Sequence, residues 1–261
     1  MTAVGRAGAS LCPIAALVVA LFLGACAEEA PDRPPTPVVG TAEALSRDVR
    51  IVAVASETPE SGEAAALTPI ALDARVFGSG PAGVILVHMR PVDQVAWYPM
   101  ALQLAASGQY TVMTFDFRGY GASTGEKDFE SAETDVAAAY AYMRDTLHRS
   151  RVFLVGASVG ATAMLIVAAR VSVAGVVAIS ALDQFEGLDA AAAVPRIAAP
   201  RLFIASTGDV PARRGLERLI TAAGSDAQEQ LYDGNAHGTD LFAGPHAAAL
   251  SARIAGFLAS P

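Results

Sequence analysis

Five residues in the middle of the chain have the types and spacing for nucleophilic chemistry: Gly156-Ala157-Ser158-Val159-Gly160. Small residues two places to either side of a serine let the chain turn sharply and present the hydroxyl at the apex of the turn. The run from Arg151 to Val155 before it reads as a strand, and the run from Val159 to Arg170 after it reads as a helix that is apolar on nearly all sides. A serine set between a buried strand and a helix also sits at the positive end of that helix. A hydroxyl is still a poor nucleophile until a base takes its proton.

The sequence has four histidines, at 88, 148, 237 and 246. His237 lies in Asp233-Gly234-Asn235-Ala236-His237-Gly238-Thr239, a loop directly after the last strand-like run, and is the candidate base. His148 stands among arginines at the end of a helical segment and reads as a surface residue. His246 opens the last helix. His88 ends a buried strand, where a hydrogen-bonded structural histidine is the ordinary case. The third group needed is an acid to orient the imidazole. Asp209, in Ser206-Thr207-Gly208-Asp209, gives the chain order Ser, Asp, His; Asp183, after the preceding strand, is the alternative acid. Two backbone N–H groups would be needed to hold a developing oxyanion. Val159, next to the serine, is one candidate and Met89, in His88-Met89-Arg90-Pro91, the other.

These residues are useful only if strands bring them to one end of a sheet. Candidate strands run from Arg50 to Ala55, Ile70 to Phe77, Gly83 to His88, Tyr110 to Phe115, Arg151 to Val155, Ala174 to Ser180, Arg201 to Ser206 and Gln228 to Tyr232. Candidate helices run from Val95 to Ser107, Ser131 to Leu147, Val159 to Arg170, Arg213 to Ala223 and Ala247 to Leu258. Strands and helices that take turns in this way imply an α/β fold, with a mostly parallel, doubly wound sheet of about eight strands. The first two strands have no helix between them, which predicts an antiparallel edge. Ligands of such sheets bind beyond the carboxyl ends of the strands, where every candidate above lies.

On these motifs the chain, from about Leu45 to its C-terminus, resembles the α/β-hydrolase superfamily, near its esterase and dienelactone-hydrolase-like members. Phe115-Asp116-Phe117-Arg118-Gly119-Tyr120-Gly121-Ala122-Ser123 is similar to that family's Asp-x-Arg-Gly-x-Gly-x-Ser loop. The resemblance implies Ser158 as nucleophile, Asp209 as acid and His237 as base, with no cofactor and no metal. The chain departs from the family in two places. Met89 stands where a glycine commonly follows the histidine, and only Ala181 to Pro200 lies where a cap domain is often inserted. An α/β-hydrolase domain without a large cap, and an open site, are therefore expected.

Composition narrows the partners. The 261 residues carry a formal net charge of −8, with 17% charged and 53% hydrophobic. That is enough apolar material for a sizeable core, and its sign disfavours nucleic acid. A small-molecule acyl substrate is expected. The first residues combine Arg6, an apolar run from Leu11 to Leu23 and the ending Leu23-Gly24-Ala25-Cys26. The run is too short for the roughly 20 residues of a spanning helix and reads as a signal peptide. Its ending resembles the lipobox of bacterial lipoproteins, which implies a lipid on Cys26, removal of residues 1–25 and a membrane anchor on the exported side. A proline-rich linker over residues 26–44 would then hold the domain, residues 45–261, off the membrane. With Cys12 in the removed segment, the mature domain would keep no free thiol.

Two further readings stay open on sequence. A peptidase, thioesterase, lipase or acyltransferase could use the same groups. A non-catalytic, surface-anchored binding protein could keep the scaffold.

Overall fold

The apolar runs of the sequence become the strands of one sheet. In a computed structural model, residues 46–55 and 68–260 are described, all of them within the unit Val38–Pro261. The signal segment, Cys26 and the proline-rich linker lie outside the described residues. No described helix is long and apolar enough to cross a membrane.

Eight strands pair in the order β1-β2-β4-β3-β5-β6-β9-β10. They are β1 (Ser46–Ala55), β2 (Thr68–Phe77), β3 (Ala82–Val87), β4 (Tyr110–Phe115), β5 (Val152–Ala157), β6 (Gly175–Ile179), β9 (Arg201–Ser206) and β10 (Ala227–Tyr232). β1 and β2 pair antiparallel, as does β2 with β4; every other pairing is parallel. The antiparallel edge and the parallel centre match the sequence reading.

The parallel strands β3, β4, β5, β6 and β9 are buried along their whole length, as strands covered on both faces must be. Their side chains alternate between two cores. Val84 and Leu86 pack with α1 (Tyr98–Ala106) and α6 (Ala247–Ala259), whereas Ile85 and Val87 face α2 (Ala132–Ala141), α3 (Val159–Ala168) and α5 (Val210–Ala223). All ten residues of α3 are buried.

Some elements differ from expectation. The segment expected as one helix from Val95 to Ser107 is a 3-10 turn, Gln94–Trp97, followed by α1, because Pro99 lacks an N–H and fits only the first turn of a helix. The helix expected to Leu147 is regular to Ala141 and ends in a π turn, Tyr142–Thr146. The interval Ala181 to Pro200 was expected to hold no large cap, and it holds none. It does contain a small hairpin, β7 (Gln184–Phe185) and β8 (Leu188–Asp189), and the single-turn helix α4 (Ala190–Ala193).

Candidate active site

The site begins at the end of β5. Ser158 has φ 52° and ψ −123°, between the strand and the first turn of α3. The flanking glycines are required by contact. A Cβ on Gly160 would lie 2.3 Å from the His88 carbonyl oxygen, and one on Gly156 would lie 2.9 Å from the Ala161 nitrogen. The loop after β3 therefore crosses directly over the turn that carries Ser158.

The Ser158 hydroxyl oxygen lies 2.7 Å from His237 Nε2, and His237 Nδ1 lies 2.6 Å from Asp209 Oδ2. A carboxylate only accepts, so Nδ1 carries the ring proton and the lone pair of Nε2 faces the serine hydroxyl. Ser158 and Asp209 are each 8% exposed, while the His237 side chain is 35% exposed. The Asp209 carboxylate is thus shielded and the His237 ring is open to an incoming molecule. This arrangement can move a proton from Ser158 to the imidazole, with Asp209 holding the ring in the required tautomer.

The alternative acid, Asp183, pairs with Arg218 on α5 at 2.8 Å, while Asp209 is the carboxylate bonded to His237. His246 contacts the Asp233 carbonyl at 3.1 Å and packs on the Tyr232 ring, and His148 is exposed. Neither reaches Ser158.

Two hydroxyls that were read only as strand ends hold the His237 loop. Ser180 Oγ accepts from the Gly238 N–H at 2.9 Å, and Ser206 Oγ donates to the Ala236 carbonyl at 2.6 Å. Each serine closes an apolar strand, β6 or β9, at the carboxyl end of the sheet. That position was the available sequence signal.

Met89 and Val159 are both buried, and among the described residues neither backbone N–H donates a hydrogen bond. Buried N–H groups are almost always paired, so two free ones beside a nucleophile are suited to an oxyanion. Met89 is not among the positive-φ residues, so the backbone here does not need the glycine common in the family. Its sulfur packs on the His237 loop: a Cβ on Gly238, at φ +56°, would lie 2.4 Å from Met89 Sδ.

His88 fixes this loop from beneath. Its Nδ1 lies 2.8 Å from the Met89 carbonyl and its Nε2 accepts from the Phe117 N–H at 2.9 Å. Both bonds are satisfied by one neutral tautomer, with the proton on Nδ1. Burial pushes the His88 pKa below its usual value, and the Met89 carbonyl only partly opposes this. The far end of the same loop is tied by Asp116, which accepts from the Gln94 backbone N–H at 2.8 Å and from its side-chain amide at 3.0 Å. Arg118 of the same segment is anchored on α2 through Asp135, with Nη2 2.6 Å from Oδ1. The segment from Asp116 to Ser123, which carries the family-like motif, therefore supports the loop above Ser158 without touching the hydroxyl itself.

Among the described residues no group of three or more His, Cys, Asp or Glu side chains is arranged to hold a metal.

A family model for the alpha/beta hydrolase fold matches residues 84–203. An esterase from Pyrococcus furiosus superposes with a TM-score of 0.64 at 15% identity, over 82% of this chain and 89% of that one. A monoacylglycerol lipase from Paleococcus ferrophilus gives 0.63 at 19% identity, over 72% and 98%. An enol-lactonase from Burkholderia xenovorans gives 0.62 at 18% identity, over 73% and 97%. No curated protein matches the sequence. With its strand order, its turn at Ser158 and a family model that matches residues 84–203, the chain has the α/β-hydrolase fold.

Proposed function

We propose that this chain is a serine hydrolase that cleaves carboxylic esters of small molecules through an acyl-enzyme on Ser158. The observation that carries the reading is the unbroken line from Ser158 Oγ to His237 Nε2, and from Nδ1 to Asp209 Oδ2. His237 takes the hydroxyl proton as Oγ attacks the ester carbonyl. The carbonyl oxygen becomes negative and is received by the Val159 and Met89 N–H groups. The imidazolium then gives its proton to the leaving alcohol, and the C–O bond of the ester breaks. Water, deprotonated by the same imidazole, attacks the acyl-serine; the C–Oγ bond breaks, Oγ takes the proton back from the imidazolium, and the acid leaves.

Ser158→Ala should lower kcat for p-nitrophenyl acetate by at least about 10,000-fold with the fold intact. Labelling by a fluorophosphonate should be lost with it. Wild-type protein that is folded yet neither turns over nor labels would overturn the reading. Turnover of thioesters or peptides in place of oxygen esters would move the substrate class and keep the nucleophile. We also propose, on the lipobox-like ending alone, that the protein is exported and anchored by a lipid on Cys26.

A further inference from the structure

The nucleophile strand β5 lies between β3 and β6. Loops rise on either side of its carboxyl end, and side chains, Arg90 foremost, join them. Arg90, directly after Met89, reaches from the β3 side to the hairpin on the β6 side. Its guanidinium lies 4.8 Å from the Phe185 ring centroid and 5.8 Å from that of Phe129, and its Nη1 is 3.4 Å from Glu186 Oε1. Both footings of this bridge stand at the nucleophile. The β3 loop touches Gly160, and on the other side the Thr162 hydroxyl, in the first turn of α3, bonds to both the carbonyl and the N–H of Leu182, at 3.1 and 3.2 Å.

From this we infer that Arg90, with Phe185 and Glu186, forms an arch across one side of Ser158 that limits the length of the acyl chain, making Arg90 a specificity-determining residue. The inference rests on the esterase reading above and sharpens it to short-acyl esters. Three features support it. The contact spans the strand that carries the nucleophile. It includes the aromatic rings of Phe185 and Phe129, which offer apolar surface to an acyl group. Its members come from loops after β3, β4 and β6, joined across β5 by the arginine and by the edge contact of the Phe129 and Phe185 rings, centroids 6.0 Å apart. The arch is not rigid. Arg90 and Glu186 are each about half exposed, so their ion pair is weak and screened by salt. Glu186 and Gly187 form the tip of the hairpin, both at positive φ. That is the turn for which Asn-Gly is the favoured sequence, so Glu186→Asn removes the carboxylate without opposing the hairpin.

The test is the ratio of kcat/KM for p-nitrophenyl octanoate to that for p-nitrophenyl acetate. Wild type should favour acetate. Arg90→Ala should raise the ratio by about tenfold and Glu186→Asn by about threefold, within the range one pocket contact supplies. A general fall in both rates that leaves the ratio unmoved would mark Arg90 as a support of the oxyanion loop alone and would overturn the inference. A wild-type preference for octanoate overturns the inference, as does an unchanged ratio in Arg90→Ala. If Arg90→Ala does not fold, an unchanged ratio in Glu186→Asn does the same. No turnover of either ester by folded wild type would overturn the esterase reading itself, which separates the two failures.

Discussion

The side chains that do chemistry in this fold are few, and most of the polar groups around them hold something still. Ser180 shows the difference. It does not reach Ser158, yet its hydroxyl receives the N–H next to His237. Ser180→Ala would leave that buried N–H unpaired, at a cost of about 1–3 kcal/mol. We expect kcat for an ester to fall while KM changes little, because the imidazole loses its position and the binding surface does not. His88 gives a second prediction at this scale. Its folded-state pKa is depressed by burial, so the unfolded chain binds the extra proton first. Stability from this group is therefore full above about 6.5 and is lost as pH falls below it. His88→Gln can offer the same donor and acceptor without titrating. The stability difference between wild type and this variant, followed by denaturant unfolding from pH 7.5 to 5, should shrink. A constant difference would mean that His88 is not held neutral.

At the scale of elements, the sheet holds the site through its loops, and one ion pair fastens a loop from outside. Arg118 and Asp135 are almost wholly buried and joined by several bonds. Asp135→Asn would leave the buried guanidinium with only the more exposed Asp128 carboxylate, 4.0 Å away, and should destabilise the protein by about 3 kcal/mol, measured as a lower denaturant midpoint. The legible elements were those whose burial pattern is continuous. The strands at Tyr110–Phe115 and Arg201–Ser206 have the limits expected from sequence, and the turn at Ser158 was set by glycines that contact makes necessary. The hairpin at Gln184–Asp189 was not legible. Two-residue strands have no periodicity to read, and Glu-Gly is a poor match to the usual hairpin turn. Ser180 and Ser206 were hidden in a different way. A hydroxyl at the end of an apolar strand looks like a boundary, and its partner is a loop distant in sequence. Asp209 could be separated from Asp183 only in three dimensions, where Arg218 engages the latter.

At the scale of the whole molecule, the proposed lipid on Cys26 has its own test. Cys26→Ser should move the protein from the membrane fraction to the soluble fraction, or leave it unprocessed, with esterase activity per molecule unchanged. Unaltered fractionation would refute the anchor. The domain itself must also carry the conformation of Ser158. Ser158 sits at φ 52°, a backbone state that costs a non-glycine residue on the order of 1–3 kcal/mol. A domain is typically stable by only about 5–15 kcal/mol. The reactive turn therefore draws on a sizeable share of the stability of the entire fold. It follows that Ser158→Gly should melt at a higher temperature than wild type while having no activity, so at this one position selection for turnover and selection for durability oppose each other.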